Sequence, residues 1–302
     1  MEGAARFLLS DIGTTGSRNN YHSRLWYAKH PPQKNHLGFR DRTFSARPEL
    51  GVFRITIVGD SFTFGSGILE SERISNLLEV ALNKQGRGRF EVLNFGQPGA
   101  NYEEHEQNLR LAIREANPHY ILLQWYHNDL DDSDDRRPRP KHLSPIQHRR
   151  LIAYSALYFL ANLAFVNAQI RFEYITVDKY YARFLDPEEP ISNRANARLL
   201  RVLDVARDLG VPIALYIWPD LTRPLGTSPA DRLIEQLLTT CRSESIECVD
   251  LRTVLSEESK HERLIVNRFD THASALANRR AANFLLETFG PGWIDMAEKM
   301  PE

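Results

Sequence analysis

From Val52 to Leu251 the chain alternates short runs of β-formers with stretches of helical periodicity. That alternation leaves few folds open. Strands joined through helices pair in parallel, and the helices cover both faces of the sheet. Strands are expected at Arg54–Val58, Phe90–Asn94, Tyr120–Trp125, Pro212–Trp218 and Glu247–Leu251. Helices are expected at Ser71–Lys84, Tyr102–Glu115, Ile191–Leu209, Pro229–Cys241 and Ala273–Thr288. Ser71 is the expected cap of the first, and Gly210 stands just past the end of the third, where a left-handed residue stops a helix. The sequence has no internal repeat.

Three regions lie outside this alternation. Residues 1–50 lack clear periodicity, but Tyr21, Leu25, Trp26 and Tyr27 mark an arm that packs on the domain, and Leu37–Asp41 reads as a short edge element. A cap or lid insertion is expected at about residues 130–190 of a domain spanning 51–290. It opens with a charged loop, where Asp131, Asp132, Asp134 and Asp135 precede Arg136, Arg137, Arg139 and Lys141; this is a solvated loop, with no metal site expected. Leu151–Ile170 then runs without a charge, close to the ~20 residues of a membrane span. Asn162, Asn167 and Gln169 favour a buried or capping helix instead, followed by irregular, aromatic-rich lid material over Arg171–Pro190. An acyl pocket is expected within Leu151–Phe184, beside Tyr154, Tyr158, Phe159, Tyr180 and Tyr181. Residues 291–302 read as a C-terminal tail.

The formal net charge is −1, so no global field draws in nucleic acid or an anionic membrane. Cys241 and Cys248 lack metal-ligand spacing and are expected as two buried thiols, a bridge being the alternative. Met1–Gly13 holds only Phe7-Leu8-Leu9 as an apolar run, far short of a signal peptide core. With Met1 as the native start the compartment is the cytoplasm. A trimmed N-terminal anchor or signal would make it periplasmic or extracellular, and membrane association is expected only through such an anchor.

The chemistry-bearing residues gather at predicted strand ends. Ser61, in Gly59-Asp60-Ser61, follows the first strand where the chain turns into a helix. Asn94-Phe-Gly-Gln-Pro-Gly99 follows the second, His127-Asn128-Asp129 the third, and Asp270-Thr-His272 precedes the last helix. Open α/β sheets carry their sites at this edge. Each residue has a plain reading: Ser61 as a turn, Asp270 or Thr271 as a helix cap, His272 as a surface histidine, Asn128 as a turn residue, Gly99 as a helix entry. Together they make the parts of a serine esterase. Ser61 serves as nucleophile, His272 as general base and Asp270 as its orienter. The Ser61 N–H, the Gly99 N–H and the Asn128 amide serve as oxyanion donors. His261 is the reserve base.

These blocks resemble the SGNH hydrolases, also called GDSL-like lipases and acylhydrolases. Gly59-Asp60-Ser61 with Gly65 is similar to their first block, Asn94 to Gly99 to the second, Asn128-Asp129 to the third, and Asp270 with His272 to the last. Asn35–Asp41 is similar to an Asn-x-x-Gly-Phe-Arg-Asp stretch of many bacterial members. The resemblance implies a flavodoxin-like, three-layer α/β/α sheet of about five parallel strands. It also implies carboxyl-ester hydrolysis with no metal and no organic cofactor. The chain departs from the pattern at Tyr126, where glycine is usual, and after His272, where Ala273-Ser274 replaces Pro-Asn. The expected substrate is a small-molecule or carbohydrate-linked ester. The alternatives are an O-acyltransferase using the same triad on a carbohydrate acceptor, or a non-catalytic carbohydrate-binding protein on the same fold.

Overall fold

The computed structural model describes residues 1–10, 20–86, 88–131, 141–144, 146–257, 263–267 and 270–300. The acidic loop beyond Asp131 and the reserve base His261 lie outside these residues. Two helices, α1 (Glu2–Leu8) and α2 (Tyr21–Lys29), precede β1 (Val52–Gly59). The sheet then builds through α3 (Ser61–Phe64), α4 (Ile74–Lys84), β2 (Arg89–Gly96), α5 (Tyr102–Ala116) and β3 (Tyr120–Trp125). An insertion of α6 (His148–Tyr154) and α7 (Ala156–Ala182) follows, then α8 (Pro190–Asp208), β4 (Ile213–Ile217), α9 (Ala230–Ser243) and β5 (Glu247–Asp250). The chain ends with α10 (Arg252–Leu255), a hairpin of β6 (Ile265–Asn267) and β7 (Asp270–Ala273), and α11 (Ala275–Glu298).

The five main strands pair in parallel in the order β2-β1-β3-β4-β5. Alternation along each strand divides the core in two. Ile121, Leu123 and Trp125 of β3 pack with Leu109 of α5, Val202 of α8 and Ile234 of α9. Tyr120 and Leu122 of the same strand pack on the other side with Leu78 of α4 and Leu285 of α11. The result is the expected three-layer α/β/α sandwich. Each fully buried aliphatic side chain in these layers contributes about 1.5–3 kcal/mol.

Several local expectations change. Ser71 lies in a 3₁₀ turn, and α4 begins at Ile74 behind Arg73. The buried Arg73 guanidinium donates to Arg40 O and to Glu70 Oε1, so tertiary contacts set this helix start. Residues 171–182 are helical, not irregular, because α7 runs unbroken to Ala182. No Gly or Pro interrupts residues 156–186, which was the available signal. The arm contains helices α1 and α2 where no periodicity was read. Leu37–Asp41 is a turn and not a strand: Asn35 Oδ1 accepts from the Leu37 and Phe39 amides. The last helix continues past Thr288 to Glu298, with Trp293 fully buried against Tyr120 and Phe289. Cys241 and Cys248 form a disulfide, with Cα atoms 6.2 Å apart, instead of two thiols. The end of α9 and the start of β5 bring them within bridging range.

Candidate active site

The serine is held by its neighbours on every side. Asp60 is the N-cap of α3; its Oδ1 accepts from the Phe62 amide at 2.8 Å. Such a cap starts a helix immediately after a strand, and the short helix turns Ser61 back across the end of β1. Beside it, Gly96 closes β2. A Cβ there would sit 2.2 Å from Phe64 N, so only glycine lets the two blocks touch. Asn94, fully buried, donates from Nδ2 to Thr63 O at 2.6 Å and accepts from the Gly96 amide. From the other side Arg40 donates to Phe64 O, Gly65 O and Ile68 O. Asp41 Oδ2 accepts from Asn94 N at 2.7 Å, so the Asn35–Asp41 turn ties the serine loop to β2.

His272, the expected base, is carried on the β6–β7 hairpin. Asp270 and His272 are two residues apart on β7 and so lie on one face. Asp270 Oδ1 is 2.5 Å from His272 Nδ1, and His272 Nε2 is 2.8 Å from Ser61 Oγ. A carboxylate facing Nδ1 fixes the proton there, so Nε2 accepts from the serine hydroxyl. Burial alone would lower the imidazole pKa; the hydrogen bond and charge of Asp270, with Asp60 behind, carry it above the ordinary value. Asp270 is not the cap of α11: Ser274 is, accepting from the Ala277 amide. Gly67, at φ 80°, leaves room for the carboxylate; a Cβ there would lie 2.9 Å from Asp270 Oδ2.

Asn128 joins this group through Asp60. Its Nδ2 donates to Asp60 Oδ2 at 3.0 Å. A primary amide has two N–H bonds, so one orients the group and the second is left to donate elsewhere. The turn carrying it is pinned by Asp129, whose Oδ2 accepts from the Tyr126 amide at 3.0 Å. The other Asp129 oxygen lies 3.0 Å from the buried His105 ring. Burial pushes the Asp129 carboxyl up to about 6, against the pull of His105. Tyr126, in the place of the usual glycine, packs on Phe62 at 4.5 Å between ring centres, and Phe62 in turn packs on His272 at 5.5 Å.

Gly99 stands apart. The Gln97 amide donates to Gly59 O at 2.9 Å, which sets the start of its loop beside β1. Gly99 itself is exposed at φ 80° and, among the described residues, makes no hydrogen bond to the other four. Asp60 as the link between Ser61 and Asn128, and Arg40 as a clamp, are not apparent in the sequence blocks. The signal for Asp60 was its cap position one residue before the serine.

The aromatics expected to line an acyl pocket over Leu151–Phe184 divide between surroundings, with Tyr181 edge-on to His127 at 4.9 Å between ring centres. Tyr180, Tyr181 and Phe184 belong to the sheet core, Phe159 packs with α1 and α2, and Tyr154 is exposed. A cavity of about 400 Å³ lies between Leu37, Phe39, Phe64, Gln97 and Pro98.

No family profile and no curated protein sequence matches this chain. Its similarity is to solved structures. TesA is 15% identical and superimposes with a TM-score of 0.50 over 79% of this chain and 98% of its own. A lipolytic protein of the G-D-S-L family from Veillonella parvula DSM 2008 is 15% identical, with a TM-score of 0.48 over 79% of this chain and 98% of its own. The acetyl xylan esterase AlAXEase is 12% identical, with a TM-score of 0.48 over 78% and 99%. The chain has the three-layer α/β/α fold of the SGNH, or GDSL-like, hydrolases.

Proposed function

We propose that the chain is a serine esterase that removes acyl groups, such as acetyl, from a small or carbohydrate-linked alcohol. The observation that carries this reading is the continuous relay from Asp270 Oδ1 through the His272 ring to Ser61 Oγ, at 2.5 and 2.8 Å. In the first half-reaction, Ser61 Oγ attacks the ester carbonyl while His272 Nε2 takes its proton. The carbonyl oxygen becomes an oxyanion, which accepts from the Ser61 N–H, the Gly99 N–H and the second Asn128 N–H. Collapse of this intermediate breaks the bond to the alcohol, which leaves with the proton from Nε2. A water then gives a proton to Nε2 and attacks the acyl-serine. The carboxylic acid departs and Ser61 is restored. Asp270 stays ionised throughout and stabilises the imidazolium.

Turnover of p-nitrophenyl acetate, with and without a polyol acceptor, tests the proposal. Hydrolysis that is unchanged by the polyol supports it. Acyl transfer to the polyol would make the chain an acyltransferase, and no turnover in either condition would make it a binding protein.

A further inference from the structure

The helices α1, α2 and α6 and the first part of α7 pack around a core of their own, built from Ala5, Leu9, Tyr21, Ile152, Ala156 and Phe159, while the end of α7 joins the sheet core. Glu2 locks it together: its carboxylate accepts from the Ala156 and Leu157 amides at the start of α7 and from Ser155 Oγ. These contacts hold its pKa down at about 2, against the effect of burial.

The surface of this body has two features. First, it carries the exposed large aromatics of the described residues, among them Phe7 at 80% and Tyr154 at 62%, with Leu8 exposed at 61% beside them. Second, its charge is one-sided. Helices α1, α2 and α6 carry Arg6, Arg24, Lys29, Arg149 and Arg150 against the single acid Glu2, which is spent on capping α7; α7 itself is balanced, with Arg171 and Lys179 against Glu173 and Asp178. The whole chain, by contrast, has a net charge of −1. Arg24 stacks over Tyr21 and Tyr154, at 5.9 and 4.9 Å from the ring centres, so cation and aromatic surface are interleaved.

No single helix among the described residues is long and apolar enough to cross a bilayer. The pair formed by α6 and Ala156–Gln169 is apolar enough in composition, but it is bent by 117°. A pair so bent cannot span as one rod; it can lie in the plane of a surface. Exposed aromatic and aliphatic groups beside arginines are the pattern of helices that seat at the headgroup boundary. An excess of cations selects anionic headgroups.

We propose that this helical body docks the protein on the surface of an anionic phospholipid bilayer, with Phe7, Leu8 and Tyr154 at the acyl boundary and Arg149 and Arg150 on the headgroups. The insertion follows β3, which pairs in parallel with β1, the strand that leads into Ser61.

Flotation with vesicles tests this without using the active site. The protein should float with vesicles of phosphatidylcholine and phosphatidylglycerol in equal parts, and not with phosphatidylcholine alone. The double variant Arg149→Gln/Arg150→Gln should weaken binding about 30-fold, the effect of removing two surface cations. Phe7→Ser/Leu8→Ser should also release the protein, while thermal melting shows that both variants fold. Failure of the parent protein to float with the anionic vesicles would overturn the proposal. So would equal binding by the arginine variant, or a solution dimer that Phe7→Ser/Leu8→Ser dissociates.

Discussion

The two halves of the candidate site are built differently. The serine–histidine half is a closed relay, with Asp270, His272 and Ser61 in direct contact and Ser61 fixed on a capped turn. The half proposed to hold the oxyanion is assembled at one remove: Asn128 reaches Ser61 through Asp60, and Gly99 stands on an exposed loop. Proton transfer needs its partners in place before substrate arrives. Oxyanion donors act only on charge that develops during the reaction. The difference predicts a graded response to mutation, severe in the relay and milder among the donors.

Among variants that keep both Ser61 and His272, the largest effect belongs to Asp270→Asn. It keeps the shape but favours the wrong imidazole tautomer, and kcat should fall about 10⁴-fold. The same variant sharpens the pH behaviour. His272 must be neutral to act, and Asp270 raises its pKa above the ordinary histidine value. Activity of the parent should therefore rise with pH through an apparent pKa above about 6.5. In Asp270→Asn the midpoint of the residual activity should move down. A pH–rate profile with an unmoved midpoint would sever the carboxylate from the base.

Asn128→Ala should lower kcat about 10²-fold with KM nearly unchanged, as befits a donor used in the transition state. If KM rises while kcat holds, Asn128 binds ground-state substrate and the division between the halves fails. Arg40→Met removes the donors to three carbonyls of the serine loop. Leaving buried carbonyls unpaired costs about 1–3 kcal/mol each, so thermal unfolding should shift down clearly, with kcat falling through a loosened Ser61. Smallest of all, His261→Ala should be nearly silent in kcat/KM.

What the sequence revealed followed from how local each feature is. The five strands and the helices between them are readable because hydrophobic period and turn residues act within a few positions. Three of the blocks are readable because the fold puts the C-terminal ends of β1, β2 and β3 on one edge, while the fourth lies on the β6–β7 hairpin. Asp60 went unread as a link because its partner Asn128 is distant in sequence and the contact exists only once β1 and β3 pair. Arg40 was hidden in the same way, since its acceptors lie 24 to 28 residues on. The Cys241–Cys248 bridge depends on where α9 ends and β5 begins, which spacing alone does not state. The helical body of α1, α2, α6 and α7 was the least legible, because its core joins the first residues to an insertion about 150 residues away.

The central claim is that Ser61 is a nucleophile activated by His272. Covalent labelling with a fluorophosphonate, followed by mass-spectrometric mapping of the modified peptide, tests it most directly. A single adduct on Ser61 is expected, strongly slowed in His272→Ala and absent in Ser61→Ala. An adduct on another residue, or undiminished labelling of Ser61→Ala, would contradict it.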